Sequence, residues 1–405
     1  VAQRDQQYIA PTYARSPLEA ACGAGAVCTG ADGRRYIDFS SGIGVNSLGF
    51  CDPGWVAAVS RQAAKLQHLS NLYYTGPMVD LAELLCKRTF AKKVFFANSG
   101  AEANEGMIKA ARKYSFDRYG KGRHMIVSLV NSFHGRTITT LSATGQDVFH
   151  QYFDPFTEGF QFVPAGDIDA LRAAVKAGGV CGVLLELIQG EGGVVPLDKA
   201  FVDAAAALCR ENDVLLMADE VQTGAGRTGT FFATEQLGIV PDLTTFAKSV
   251  GGGFPISGVA GKAEIMDAIA PGGLGGTYAG SPIACAAALA VLKVFEEEKL
   301  LERSQAVGER LKAGLREIQA KHKVIGDVRG LGSMVAIELF EGGDTHKPAA
   351  ELVSKIVVRA REKGLILLSC GTYYNVIRFL MPVTIPDAQL EKGLAILAEC
   401  FDELA

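Results

Sequence analysis

Asp219 and Lys248 are the two residues whose types and placement most readily do chemistry. Each closes a short apolar run: Val214 to Ala218 leads into Asp219, and Leu243 to Ala247 leads into Lys248. Runs of this length, bounded by glycine and proline, read as buried strands. Ligands of open α/β sheets sit beyond the carboxyl ends of the strands, so an acid and an amine are aimed at one crevice. A surface lysine and a helix-capping aspartate are the plainer reading of such a pair. Further along the chain, Ser99 followed by Glu102 forms a capping box. The helix start it marks offers the backbone N–H groups around Gly100 and Ala101 to an anion. Phe133 follows the apolar run Met125 to Val130, where an aromatic ring can cover a flat cofactor, and Arg136 can hold a carboxylate in a fork. Glu191 stands between glycines that permit close approach to a ligand. Arg378 lies inside the apolar run Asn375 to Leu380, where a charge is costly without a carboxylate partner.

The pairing of an amine with an acid at two strand ends suits pyridoxal 5'-phosphate. That cofactor needs a lysine to condense with its aldehyde and an acidic partner to keep its pyridine nitrogen protonated.

The elements that must position these residues follow from composition and periodicity. At 405 residues the chain exceeds one ordinary core, so two domains are expected. With 48% hydrophobic and 21% charged residues it reads as a globular enzyme. A formal charge of −4 and a pI near 6.0 argue against nucleic-acid or polybasic membrane partners. No apolar stretch approaches a membrane span, and the first residues lack the apolar core of a secretion signal. The nine cysteines are dispersed without CxxC spacing, and the six histidines show no HxxxH. Reduced thiols, a cytoplasmic location and no metal site are therefore expected. Strands and helices alternate from Val94 onward. From about residue 298 the texture changes, with Val307, Leu311, Leu315 and Ile318 on one helix face and Leu390, Leu394, Leu397 and Phe401 on another. The expected architecture is α/β. Residues 51–297 form a large cofactor-binding domain with a mostly parallel sheet flanked by helices, residues 298–405 a smaller α/β domain, and residues 1–50 an N-terminal segment packed with the latter.

The stretches DEVQTGAGRTG, PDLTTFAKSVGGGFPISG, SGAEA and SFHGRT closely resemble the subgroup III (omega-) aminotransferases of the fold-type I pyridoxal-phosphate enzymes, and the resemblance covers nearly the whole chain. It implies catalytic roles for Lys248 and Asp219. It places Gly100 and Ala101 at the cofactor phosphate, Phe133 and Val221 on opposite ring faces, and Gln222 near the phenolic oxygen. Tyr13, Ile43 and Arg136 are implied on the substrate side, and Glu191 as a switch carboxylate that pairs with Arg378. Thr277 is implied to reach the phosphate held by a neighbouring subunit, which makes a homodimer with sites at the subunit interface. His134 reads as structural. Phe50 departs from the family, which usually has His there.

The two halves point to different donors. TYAR, HLSNLYY and ANSGAEANEGMIKAARKY resemble acetylornithine aminotransferases, whereas APGGLGGTYAG, IGDVRGLGSM and KGLILLSCGTYYNVIRFL resemble bacterial 4-aminobutyrate aminotransferases. The donor's far end should meet Ile43, Ser70 to Leu72 and Arg136, all in the first half. The expected reaction carries the distal amine of N-acetylornithine, or a similar δ-amino donor, to 2-oxoglutarate by a ping-pong route. 4-Aminobutyrate is the alternative donor, and an aminomutase of the same fold, which needs no acceptor, is more remote.

Overall fold

The computed structural model describes all 405 residues. Its centre is a seven-stranded sheet in the spatial order Lys93–Ala97, Ser257–Gly261, Leu243–Phe246, Leu215–Asp219, Val180–Leu185, Met125–Leu129, Phe160–Val163. Only Ser257–Gly261 runs against its neighbours, and the other pairings between Leu243–Phe246 and Phe160–Val163 are parallel. Helices cover both faces, which is why the inner strands are apolar throughout rather than alternating.

Alternation survives in what each residue touches. Leu215 and Met217 pack toward the helix Gly100–Tyr119, through its Met107, Ile108, Ala110 and Ala111. Leu216 and Ala218 pack on the other side, against Leu171 of the helix Ile168–Lys176 and Phe201 and Val202 of the helix Lys199–Glu211. Asp219 has the parity of Leu215 and Met217, so its side chain turns toward the helix Gly100–Tyr119. Expected strand ends shift slightly. The strand before Lys248 stops at Phe246, and Lys248 opens a turn of 3₁₀ helix, Lys248–Gly251.

The last third of the chain builds a second, antiparallel sheet in the order Ile325–Leu331, Met334–Leu339, Val376–Phe379, Leu368–Cys370. The helices Leu300–Lys321 and Asp387–Leu404 pack on it through Leu311, Leu315, Leu390, Leu397 and Phe401. Strands Ala20–Ala24, Val27–Gly30 and Arg35–Asp38 form a third sheet that takes Leu365–Ile366 as its fourth member. Phe39 then enters the same core, edge-on to Phe379 at 6.3 Å between ring centres. Phe50 fills the space a side chain at Gly23 would need, a Cβ there lying 2.5 Å from the ring.

Arg227, fully buried, pins these parts together. Its guanidinium donates to the Met381 carbonyl at 2.6 Å, Ser333 Oγ at 3.2 Å and Ser47 Oγ at 3.4 Å. Burial pushes its pKa down to about 10, opposed by Asp38 nearby. Arg227→Met strands the Met381 carbonyl without a donor. Stability should fall by about 2–4 kcal/mol, the cost of an unsatisfied buried group plus the lost charge-assisted bond. An unfolding midpoint in urea equal to that of the unaltered protein would show that the three parts dock without it.

Candidate active site

Asp219 and Lys248 face one cavity of about 460 Å³ beyond the carboxyl ends of the central strands. Asp219 is only 5% exposed. Burial alone would raise its pKa. The hydrogen bond and charge of His134, with the Val221 N–H and the Asn104 amide, overcome this and hold it below the ordinary carboxylate value. The distances are 2.7 Å to His134 Nδ1, 2.8 Å to Asn104 Nδ2 and 3.0 Å to the Val221 N–H. Asn104 also donates to the His134 carbonyl at 2.8 Å and accepts from the Thr245 hydroxyl at 3.0 Å. The result is an ionised carboxylate in an apolar wall.

Lys248 takes a left-handed backbone, φ 47°, where a non-glycine residue is uncommon. Ser249 beside it is anchored by its hydroxyl to the Gly44 carbonyl at 2.8 Å. Burial, and then the Arg378 charge, push the Lys248 amine down to about 8, against opposing pulls from Asp219, Glu191 and Glu186. An amine titrating there can both accept and give a proton near neutral pH.

The helix Gly100–Tyr119 brings its start to the same cavity. Its capping box is formed by the Glu102 N–H on Ser99 Oγ at 3.2 Å and the Ser99 N–H on Glu102 Oε2 at 2.9 Å. The first N–H groups of a helix have no partner within it. A Cβ on Gly100 would lie 2.7 Å from Val221 Cγ1, so only glycine lets helix and Val221 approach this closely. Gly100, Ala101, Phe133, Arg136, Val221 and Gln222 all line the cavity. Arg136 is splayed over the Phe149 ring at 4.2 Å and lies 5.6 Å from that of Phe133.

Arg378 is 2% exposed and meets Glu191 Oε2 and Gln222 Oε1, each at 3.0 Å. Gln222 forms part of the cavity wall and links Arg378 to it, while Glu191 lines a neighbouring cavity with Val130, Phe149 and Ser369. Three further sequence candidates lie away from the cavity of Asp219 and Lys248. Tyr13 is 75% exposed, beneath the Arg15 guanidinium. Ile43 sits at φ 66° in a left-handed turn from Ser41 to Gly44, and Val45 rather than Ile43 reaches the cavity wall. Thr277 is on the surface, in a loop held by Asn71 through the carbonyls of Gly276 and Ala279.

Two residues escaped sequence reasoning as site residues. Asn104 lies four residues after Gly100 and three after Ala101, hence on the same helix face. That spacing was the available signal. Glu186 interrupts an apolar run, and its carboxylate accepts the N–H groups of Phe133 at 2.8 Å and Gly190 at 3.3 Å. Burial pushes its pKa up to about 7, opposed by His134 and assisted by Asp219.

The donor set fits pyridoxal phosphate: an amine in the wall, an ionised acid opposite, and a helix start with no side chain in the way. The Lys248 amine of cofactor-free protein should acylate with a rate that rises with pH and levels off above about 8, because only the neutral amine reacts. Labelling quantified by mass spectrometry gives the midpoint. A value near 10.5, that of an ordinary lysine, would show that its surroundings do not tune it.

Residues 8–401 match the family of class III aminotransferases. The chain is 64% identical to 5-aminovalerate aminotransferase of Pseudomonas aeruginosa, over 92% of this chain and 91% of that one. It is 48% identical to 4-aminobutyrate aminotransferase of Escherichia coli, over 92% and 90%. Acetylornithine aminotransferase of Haemophilus ducreyi is 45% identical over 100% and 99%. Among solved structures, ornithine aminotransferase of Toxoplasma gondii, which holds PLP at partial occupancy, superposes with a TM-score of 0.94 at 32% identity, over 100% of this chain and 93% of that one. With the lysine, the acid and the helix start already on one cavity, this likeness along the whole chain makes the protein a member of the class III aminotransferases, which depend on pyridoxal phosphate.

Proposed function

We propose that this aminotransferase moves the amine from the δ carbon of an ω-amino carboxylate, 5-aminovalerate foremost, to 2-oxoglutarate, releasing a semialdehyde and glutamate. The observation that carries this reading is the contact between Arg378 and Glu191 at 3.0 Å. A donor reacting at its distal amine brings no carboxylate next to the reacting carbon. Arg378 left unpaired in its buried strand would cost several kcal/mol, roughly 3–5 for a broken buried pair, and Glu191 removes that cost. The α-carboxylate of 2-oxoglutarate exchanges with Glu191 at Arg378. Arg136, which rests on aromatic rings rather than on a carboxylate, takes the far carboxylate of donor and acceptor alike.

When bound, pyridoxal phosphate supplies an aldehyde for the donor's amine and a ring that accepts electrons. Lys248 Nζ takes the proton from the donor's reacting carbon and returns it in the next step. The ionised Asp219 would hold a proton on the ring nitrogen by a charge-assisted hydrogen bond. Phe133 and Val221, both in the cavity wall, would hold the ring, and the start of the helix Gly100–Tyr119 would hold the phosphate. The two half-reactions follow each other in ping-pong order.

The 64% identity to a 5-aminovalerate aminotransferase favours that donor over N-acetylornithine, whose amine is also on a δ carbon but whose tail carries an acetamide as well. A second copy of the chain completes the site in this reading. Leu72, Tyr74 and Tyr278 are 86%, 97% and 67% exposed around the Thr277 loop. Such an apolar surface fits a subunit interface, from which Thr277 reaches the partner's phosphate.

Two experiments test these assignments. A panel of 5-aminovalerate, 4-aminobutyrate and N-acetylornithine with 2-oxoglutarate should give 5-aminovalerate the highest kcat/KM, by about tenfold over the donor one methylene shorter. A preference for N-acetylornithine would reassign the donor. Glu191→Gln should slow the half-reaction with 5-aminovalerate while sparing or speeding that with glutamate. Equal losses in both single-turnover half-reactions would remove Glu191 from its switching role.

A further inference from the structure

Arg329, Ala336 and Arg378 stand in one row across three neighbouring strands: Arg329 pairs with Ala336, and Ala336 with Arg378. Directly paired residues of antiparallel strands project to the same face. Both arginines therefore face the turn that carries Glu191, with the small Ala336 between them. Arg378 takes the carboxylate of Glu191. Arg329 takes the backbone just beyond it, donating to the Gly193 carbonyl at 2.6 Å and the Val194 carbonyl at 3.1 Å. Its remaining Nη1 is held by Glu338 at 2.6 Å and Asp327 at 2.9 Å. Glu338 also accepts the Asn375 amide at 3.2 Å, and Asn375 precedes the strand of Arg378. Gly193, at φ 122°, leaves room for this grip, since a Cβ there would lie 3.2 Å from Arg329 Nη2. On the far side of the turn the Gly371 N–H holds the Glu191 carbonyl at 3.0 Å.

We propose that Arg329 is the positioning residue of the Glu191–Arg378 pair. By gripping the Gly193 and Val194 carbonyls it sets where the Glu191 carboxylate stands relative to Arg378, and so sets the preference for distal over α-amines. The proposal rests on the switching role given to Glu191 above. A guanidinium is required because its fork reaches the turn and two carboxylates at once, which an ammonium cannot do in one geometry.

The test uses the holoenzyme and single-turnover rates with 5-aminovalerate and with glutamate, for Arg329→Lys, Glu191→Gln and the double variant. Arg329→Lys should lower the ratio of the distal-amine rate to the α-amine rate by about tenfold, the worth of a lost charge-assisted bond. The double variant should match Glu191→Gln alone, because Arg329 acts only through Glu191. A merely structural arginine would slow both half-reactions together, and that result overturns the proposal. So does a ratio that moves with Glu191→Gln but not with Arg329→Lys. If neither variant moves the ratio, the switching role of Glu191 falls and takes this inference with it. Should Arg329→Lys fail to fold, Glu338→Gln loosens the same guanidinium from its other side. It should lower the ratio in the same direction, and an unchanged ratio there also overturns the assignment.

Discussion

The carboxylate of Asp219 is held ionised by groups from separate stretches of chain. A carboxyl buried at the end of an apolar strand would ordinarily keep its proton. Here His134, Asn104 and the Val221 N–H supply the compensating bonds, and each arrives on a different element. The charge therefore exists only when the helix Gly100–Tyr119, the segment after Met125–Leu129 and the strand Leu215–Asp219 are all in register. Packing the fold and ionising the acid are one problem. The same helix that brings Asn104 to the acid brings Gly100 and Ala101 to the same cavity, so one rigid element spaces Asp219 from the helix start.

A second constraint runs across the junction between the central sheet and the C-terminal sheet. Arg227, Arg329 and Arg378 each bridge it, and each spends part of its guanidinium on backbone carbonyls. Carbonyls at a junction have no ladder partner and must be satisfied by something. Arginine suits the task because its planar fork serves several acceptors in fixed directions and is weakly hydrated compared with an ammonium. Arg378 then differs from the other two by lying against a partly exposed carboxylate. Arg227 is locked by Met381, Ser333 and Ser47, whereas Arg378 faces a Glu191 side chain that is 32% exposed.

Much of this is legible in the sequence. The apolar runs ending in Asp219 and Lys248, the capping box at Ser99 and the costly Arg378 each carry a local physical signature, and the mostly parallel α/β sheet followed from strand–helix alternation. Non-local features were not legible. Asn104 looked like one polar residue in a helix, since its acceptors are 30 and 115 residues away. Glu186 looked like a flaw in a strand until Phe133 and Gly190 brought their N–H groups to it. Ile43 was expected at the pocket rim. The left-handed backbone from Ser41 to Gly44 leaves it 45% exposed and places Val45 in the cavity wall, a turn that no periodicity encodes.

The electrostatics of Lys248 tie the two constraints together. Its amine is lowered first by burial and then by the Arg378 charge, while Asp219, Glu191 and Glu186 pull the other way. If Glu191 left Arg378 with nothing in its place, the lysine would face a less compensated cation and would become a weaker base. Under the proposed switch, an α-carboxylate that replaced Glu191 would exchange one anion for another at the same guanidinium. In the proposed switch the field at Lys248 Nζ would then change little, so that one base would serve a distal amine in one half-reaction and an α-amine in the other. A neutral glutamine at position 191 breaks that equivalence, because the charge at Arg378 then depends on which substrate is present. On the proposed reading, exchange of like charges, rather than recognition of either substrate alone, would let a single lysine work on both.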